Sequence, residues 1–228
     1  MRDEARLLGP DGRLQVPSIL RAVAPGERRA APAFKEWAVI VRALLEGEQI
    51  LDVRKGGLRE DGRHFGLHAT RAWLYATAEH QKPELLKPAY RRWIDDGSAA
   101  GSPPGDDIHI EGWAEVVAVA TLTEPDDLAR LASKLIWTPD YAESRLSWKR
   151  RDPLWVLALR AYRLRDPITV PWSEDYRGCT SWVDLDDLPS DPAAVPSEPA
   201  LSDEAFDARL RLVESELPER FAAPAAAP

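Results

Sequence analysis

The stretch FKEWAVIVRALLEGEQILDVRKGG, residues 34–57, decides the fold class because its periodicity changes halfway along. Apolar residues recur at helical spacing at first and a glycine follows as a stop signal, so the pattern predicts a helix over residues 34–45. Residues 49–54 then read as a strand, closed by the double glycine at 56–57, since glycine permits a sharp turn. No glycine-rich phosphate loop joins the two elements, which indicates an α+β domain rather than a dinucleotide-binding sheet.

The same two patterns continue along the chain. Strands are predicted at residues 72–77, 108–122, 153–164 and 183–185, and helices at residues 85–94, from 125 onward and at 202–217. Strands and helices do not alternate regularly, as they would in a parallel βαβ fold. The order therefore predicts a single mixed β-barrel with helices packed at its edges.

Composition divides the chain into three parts. Residues 1–33 are rich in Arg, Ala, Pro and Gly and are expected to form a flexible, weakly ordered arm. Residues 34–187 hold all nine Trp, and Trp usually belongs to a core, so this range is expected to be one compact α+β domain. Residues 188–228 are expected to be an acidic extension, with a Pro-rich linker, a short helix and a disordered Pro/Ala tail.

Charge and cysteine content exclude several classes of protein. The net charge is −8, but 13 acidic and 4 basic residues lie from Ser173 onward, so the rest of the chain is close to neutral and shows no basic groove. No run of about 18 apolar residues is present and the N-terminus is charged, so neither a membrane span nor a secretory signal is indicated and the expected location is the cytoplasm. A single cysteine, Cys179, excludes a cysteine-rich metal site. No metal and no cofactor are predicted.

Several long words of the sequence are identified as those of a known bacterial family. They are FKEWAVIVRALLEGEQILDVRKGG, WLYATAEHQKPELLKP, LIWTPDYAESRLSW, PLWVLALRAYRLRDPITVP and GCTSWVDL. Together they resemble the family catalogued as domain of unknown function 1802, over most of residues 34–185. The resemblance implies a bacterial setting and brings no activity. Some relatives are joined to restriction-endonuclease-type domains, which implies a nuclease as a partner.

A more distant likeness concerns the same opening stretch. The run from Gly47 to Arg54 has the spacing of the G-x-K-x-x-E-x-R signature of ASCH domains, which are PUA-like β-barrels. The resemblance implies a barrel of that kind and a partner that is RNA, DNA or a modified base. Two positions depart from the signature, with Gln49 in place of Lys and Asp52 in place of Glu. Some ASCH proteins hydrolyse amides of modified nucleosides with that Lys, so the resemblance does not extend to such catalysis.

Basic residues around the double glycine form the first candidate binding site. The group consists of Arg54, Lys55, Gly56, Gly57, Arg59 and Arg63. Guanidinium groups and main-chain N–H donors can converge there on a phosphate, although such a run is also typical of a solvated hairpin rim. Asp52 shares a strand face with Arg54, so the two are expected either to line a pocket or to form a structural ion pair.

Two further groups are candidates. Glu79, His80 and Gln81 follow a buried strand, where His80 can act as a general base or base-edge donor, or the three can cap a turn. Trp148 lies among cations near Tyr141, an arrangement that suits a nucleic-acid face and equally suits a helix packed on the barrel. His64 and His68 are spaced by four but are not expected on a helix, so they give no metal site.

The leading hypothesis is a module that binds nucleic acid or a modified nucleotide between the 47–57 hairpin and the strand ending at His80. The first alternative is a small hydrolase that acts on a nucleoside-like substrate through His80, Glu79 and Asp52. The second is a protein-interaction scaffold whose acidic extension binds a partner. The chain has no P-loop, nucleophile elbow, zincin motif or convincing nuclease core, so any cleavage is expected to come from a partner.

Overall fold

The computed structural model describes residues 31–55, 67–141, 144, 154–178, 180–218 and 220–224. Within them lie seven strands: β1 (Ala31–Trp37), β2 (Leu51–Lys55), β3 (Arg71–Thr77), β4 (Ile108–Leu122), β5 (Leu154–Val170), β6 (Trp182–Leu185) and β7 (Ser197–Pro199). The helices are α1 (Ala38–Leu45), α2 (Pro88–Asp95), α3 (Pro125–Leu131) and α4 (Asp203–Glu216). No helix among these residues is long and apolar enough to cross a membrane.

All seven strands belong to one mixed sheet. Its order is β2-β5-β4-β3-β1-β6, and β7 pairs with the distal half of β5. The β1–β3 pair is parallel, whereas the other pairs are antiparallel. The predicted α+β class, with a mixed sheet and helices at its edges, is confirmed. In the part of the chain that the structure describes, no main-chain pairing joins β2 to β6, so the two edges must be held together by side chains.

The pair β4 and β5 forms the longest ladder of the sheet. It runs from Ile108↔Val170 to Leu122↔Leu154, with register shifts beside Gly112 and near Val116. A Cβ atom at Gly112 would collide with the carbonyl oxygen of Tyr162 and the side chain of Leu45, so no larger residue fits there. This glycine therefore allows α1 to lie directly against the bend in β4.

The predicted helix over residues 34–45 is wrong in its first part. The chain forms β1 up to Trp37 and only then turns into α1. Helical spacing of the apolar residues continues through both elements, but β1 is paired on both sides, with β3 and β6. These pairings satisfy the main-chain groups of β1 in a buried position and override the local helical pattern.

The sheet has apolar residues on both faces. Phe34 and Leu74 belong to the larger core, which packs against α1, α3 and α4, whereas Ala33, Trp73 and Tyr75 belong to a second, smaller core. Successive residues of β1 and β3 thus point to opposite sides, as the pleat requires. Because both sides are buried, apolar and polar residues do not alternate in these strands.

Residues 188–217 differ from the expected linker. The helix predicted there exists as α4, and the hydroxyl of Ser202 accepts a hydrogen bond from the N–H of Ala205 at its start. However, β7 pairs with β5, and α4 buries Phe206, Val213 and Leu217 in the larger core. The many acidic residues of this segment made the apolar stripe of α4 difficult to recognise in the sequence. The segment is part of the folded body, so deletion after Leu188 would expose the core.

The packing of α4 can be tested with two alanine substitutions on the same helix. Phe206→Ala is expected to lower the free energy of unfolding by about 3–5 kcal/mol, because the buried ring leaves a cavity. Leu212→Ala is the control, since Leu212 is 55% exposed and its loss is expected to change stability by less than about 0.5 kcal/mol. Urea unfolding followed by circular dichroism measures both. Equal stabilities for the two variants would contradict the packing.

Candidate functional site

The Arg54 side chain closes the gap between the two ends of the sheet. Its Nε donates to Asp52 Oδ2 at 2.8 Å, and its Nη1 donates to the Ser181 hydroxyl at 3.0 Å. Its Nη2 donates to the carbonyl oxygen of Lys35 at 3.0 Å and contacts the carboxylate of Glu36. One guanidinium on β2 thereby reaches β1 and the residue that precedes β6. We call Arg54, Asp52, Glu36 and Ser181 the seam cluster.

The electrostatics of the seam cluster keep Arg54 charged. Burial acts to lower the pKa of Arg54, but the carboxylates of Glu36 and Asp52 outweigh it and raise that pKa above its ordinary value. The guanidinium carbon also lies 4.2 Å from the centroid of the Phe34 ring. Every nitrogen of the guanidinium has an oxygen partner inside the protein. The geometry therefore supports the structural ion pair of Asp52 with Arg54 over direct contact of Arg54 with a phosphate.

Glu79 is paired with a buried lysine that the sequence pattern did not single out. Lys35 Nζ lies 2.9 Å from Glu79 Oε2, and it also donates to the carbonyl oxygens of Tyr176 and Gly178, both at 3.1 Å. The Lys35 side chain is only 5% exposed. Three oxygen partners match the three N–H donors of the ammonium group. Lys35 thus ties β1 to the turn after β3 and to the segment before β6.

The two charged groups lie on opposite faces of the sheet. Lys35 and Glu36 are successive residues of β1, so their side chains leave the strand on opposite sides. The contacts agree: Lys35 lies over the Tyr75 ring in the second core, whereas Glu36 meets Arg54 above Phe34 in the larger core. Consequently Asp52 and Glu79, which the hydrolase hypothesis combines, are held on different faces by different cations.

Two tyrosines lie beside Lys35 and Glu79. Burial, together with the nearby Glu79 carboxylate, raises the pKa of Tyr75 to about 12. Burial also raises the pKa of Tyr176, whose hydroxyl donates to Asp186 Oδ2 at 3.0 Å and accepts from the Asp186 N–H at 2.9 Å. Both phenols therefore keep their protons at neutral pH.

His80 and Gln81 lie in the turn after β3. His80 is exposed and has a φ of 62°, in the left-handed region that a turn requires. Gln81 accepts from the N–H of Val39 at 3.1 Å and donates to the carbonyl oxygen of Ala99 at 3.1 Å. The first N–H groups of a helix have no partner within the helix, so Gln81 satisfies one of them at the start of α1. The geometry supports the capping alternative for Gln81.

Gln49 occupies the position at which the ASCH signature has its lysine. Its side chain is buried, donates to the carbonyl oxygen of Leu51 at 2.9 Å and accepts from the N–H of Ile136 at 2.9 Å. Both ends of the amide are used by the main chain. Gln49 therefore holds the turn between α1 and β2 against the segment after α3.

Several predicted site residues lie outside the described residues. They are Gly56, Gly57, Arg59, Arg63 and Trp148; Cys179 and His64, for which no site is predicted, also lie outside the described residues. For Lys55 the structure gives the main-chain pairing with Leu154, at the end of β2. Their predicted roles in binding stay predictions. Among the described residues, no group of three or more His, Cys, Asp or Glu side chains is arranged to hold a metal ion.

A column of aromatic rings borders the seam cluster. The ring centroids of Phe34 and Trp182 are 5.0 Å apart, and those of Trp182 and His68 are 5.9 Å apart. Exposure increases outward, since Phe34 is buried and the His68 side chain is 33% exposed. His68 Nε2 also lies 3.7 Å from Asp184 Oδ1. We call Phe34, Trp182 and His68 the aromatic column.

Sequence reasoning missed Lys35, Glu36 and Ser181, as well as the aromatic column. In the predicted helix over residues 34–45, Lys35 and Glu36 fall between the apolar residues and so carry no signal of a site. The one available signal was the order Phe-Lys-Glu-Trp, which places two opposite charges between aromatics and suits a strand paired on both sides. Ser181 had no signal of its own, because its role depends on the register between β1 and β6.

Comparison with known families and structures gives one strong match and several weak ones. The model of the family described as Domain of unknown function (DUF1802) matches residues 33–211. No curated protein matches the chain. Three solved structures from Zymomonas mobilis are similar: a serine-to-alanine mutant of an ASCH protein, the ASCH protein itself, and its tyrosine-to-phenylalanine mutant. They show 14%, 14% and 13% identity and TM-scores of 0.42, 0.40 and 0.37. They cover 70%, 68% and 70% of this chain and 91%, 87% and 92% of their own.

The seam cluster predicts a large loss of stability when Arg54 is removed. Arg54→Met leaves the carboxylates of Glu36 and Asp52 buried without their cation, and we expect the free energy of unfolding to fall by about 3–5 kcal/mol. Arg71→Met is the matched control, because Arg71 pairs with Glu115 and Asp191 at an exposed site and its loss is expected to cost less than about 1 kcal/mol. Chemical denaturation measures both. A small effect of Arg54→Met would show that the seam does not depend on this cation.

Tyr75 predicts a loss of stability at alkaline pH. Its pKa is about 12 in the folded protein and about 10 in an unfolded chain, so the folded state holds the phenol proton more tightly. This contribution is fully present below pH of about 10 and is lost as the pH rises toward 12. Between pH 9 and pH 11, wild-type stability should therefore fall by about 1 kcal/mol more than that of Tyr75→Phe. Urea unfolding at the two pH values measures the difference, and parallel losses would contradict it.

Proposed function

We propose that this chain, which belongs to the DUF1802 family, binds nucleic acid or a modified nucleotide at the aromatic column. The observation that carries this proposal is the column itself, which runs from buried Phe34 through Trp182 to partly exposed His68. Proteins that bind single strands use such rings as stacking platforms, and each stacked base contributes about 1–3 kcal/mol.

In this proposal, the charged residues around the aromatic column have two different roles. Arg54 is already neutralised by Glu36 and Asp52, so it holds Phe34 and the start of β6 in place and does not need to meet the ligand. Attraction for phosphates is assigned to Lys55, the last residue of β2, and to Arg59 and Arg63, which follow it in the sequence. These positions keep their predicted binding role. A nuclease as partner is likewise part of this proposal and comes from the family resemblance.

The two alternative functions receive less support. The hydrolase hypothesis needs Asp52, Glu79 and His80 around one substrate, but Asp52 and Glu79 are engaged by Arg54 and Lys35 on opposite faces of the sheet. The scaffold hypothesis needs an extension that is free to bind a partner, yet residues 197–217 supply β7 and the buried side of α4. Neither alternative is favoured by a contact of its own.

Fluorescence anisotropy with labelled oligomers of about 12 nucleotides tests the proposal, using single-stranded RNA and DNA, plain and modified. We expect binding that weakens as salt is raised from about 50 to 200 mM, because phosphate contacts release counterions. His68→Ala is expected to weaken binding about tenfold, since it removes the outermost ring of the column.

Tyr90→Ala provides the control for that experiment. Tyr90 is also a half-buried aromatic residue with a ring neighbour, Trp93, at 5.2 Å, but it lies on α2. Its removal should leave the affinity unchanged. Absence of binding to every oligomer at low salt, or equal losses in the two variants, would overturn the proposed site.

A further inference from the structure

In the part of the chain that the structure describes, two buried polar atoms near the aromatic column have no hydrogen-bond partner. They are the hydroxyl oxygen of Thr180 and the indole nitrogen of Trp182. In a folded protein, nearly all buried polar groups are paired, and each exception requires an explanation. A buried donor without a partner has given up its hydrogen bonds to water and gained none in the protein. A ligand that supplied the missing partner would recover that free energy.

The two residues that carry these atoms are the sequence neighbours of one member of the seam cluster. Thr180 and Trp182 lie on either side of Ser181, whose hydroxyl accepts the hydrogen bond from Arg54. Trp182 is paired in register with Phe34 and belongs to the aromatic column. A base that stacked against the Trp182 ring would contact the same indole that carries the unpaired N–H.

The chemistry of these atoms restricts what they can bind. An indole N–H can only donate, and a threonine hydroxyl can donate or accept, so the matching ligand atom is an acceptor. The charges nearby disfavour an anion, because Glu36 and Asp52 outnumber Arg54, and Asp184 lies beside His68. A neutral carbonyl oxygen meets both conditions, whereas a phosphate oxygen meets only the first.

We propose that Thr180 and Trp182 bind the carbonyl oxygen of a stacked nucleobase, so that the site selects oxo-bearing bases over purely amino-bearing ones. This inference rests on the proposed function, since it assumes that the aromatic column binds a base. Hypoxanthine and adenine provide a matched test, because both are purines of the same size and differ at position 6, where the first has an oxygen and the second an amino group.

The experiment compares short labelled oligomers of inosine and of adenosine by anisotropy, with wild-type protein and with the variant Thr180→Val, Trp182→Phe. Thr180→Val keeps the size of the side chain and removes the hydroxyl, whereas Trp182→Phe removes the N–H and keeps an aromatic ring in place of the larger indole. We expect the wild type to bind the inosine oligomer about fivefold or more tightly, and the variant to lose that preference. The melting temperature of the single variant Thr180→Val should be unchanged or higher, because it removes an unpaired buried hydroxyl without loss of volume.

Each outcome separates this inference from the proposed function. If the wild type binds neither oligomer nor any other strand, both proposals fail. If the wild type binds but the variant keeps the same affinity and the same preference, the column binds bases while Thr180 and Trp182 bind only an ordered water, and the inference alone is overturned. A marked fall in the melting temperature of the single variant Thr180→Val would show that this hydroxyl stabilises the protein itself, which also contradicts the inference.

Discussion

The structure depends on one buried cation, the Arg54 guanidinium. It crosses the gap that main-chain hydrogen bonds leave between β2 and the β1–β6 pair, and it does so with four partners. A charge in this position would be too costly without compensation, and Glu36 and Asp52 provide that compensation. Both carboxylates and the Ser181 hydroxyl are therefore engaged within the protein, and the rings of the aromatic column lie next to them.

The extent to which the fold follows from sequence depends on how local each signal is. The long strand β4 was predicted over residues 108–122 and lies there, because fifteen residues with strand character outweigh any competing pattern. The same reasoning failed for β1, where Phe-Lys-Glu-Trp continues into the apolar spacing of α1. Its true state is set by β3 and β6, which lie about 40 and 150 residues further along the chain, and no local pattern encodes such pairing.

The candidate site shows the same division. The pairing of Asp52 with Arg54 was predictable, since residues two apart on a strand share a face. Glu36, Lys35 and Ser181 were not, because each reaches the site through a pairing between distant segments. Likewise, the sequence identified Glu79 as a polar residue after a buried strand, but only the pleat of β1 decides that Glu79 meets Lys35 and not Arg54.

The opposite charges at positions 35 and 36 also help to fix the register of β1 in the sheet. Both sides of this strand are buried, so apolar alternation does little to distinguish the native pairing from one shifted by a single residue. A shift in one direction would put the ammonium of Lys35 where Glu36 now meets Arg54, and a shift in the other would put the carboxylate of Glu36 where Lys35 now meets Glu79. Either shift would create a like-charge contact in a buried setting. The adjacent opposite charges therefore favour the native register of β1 over the registers that are shifted by one residue.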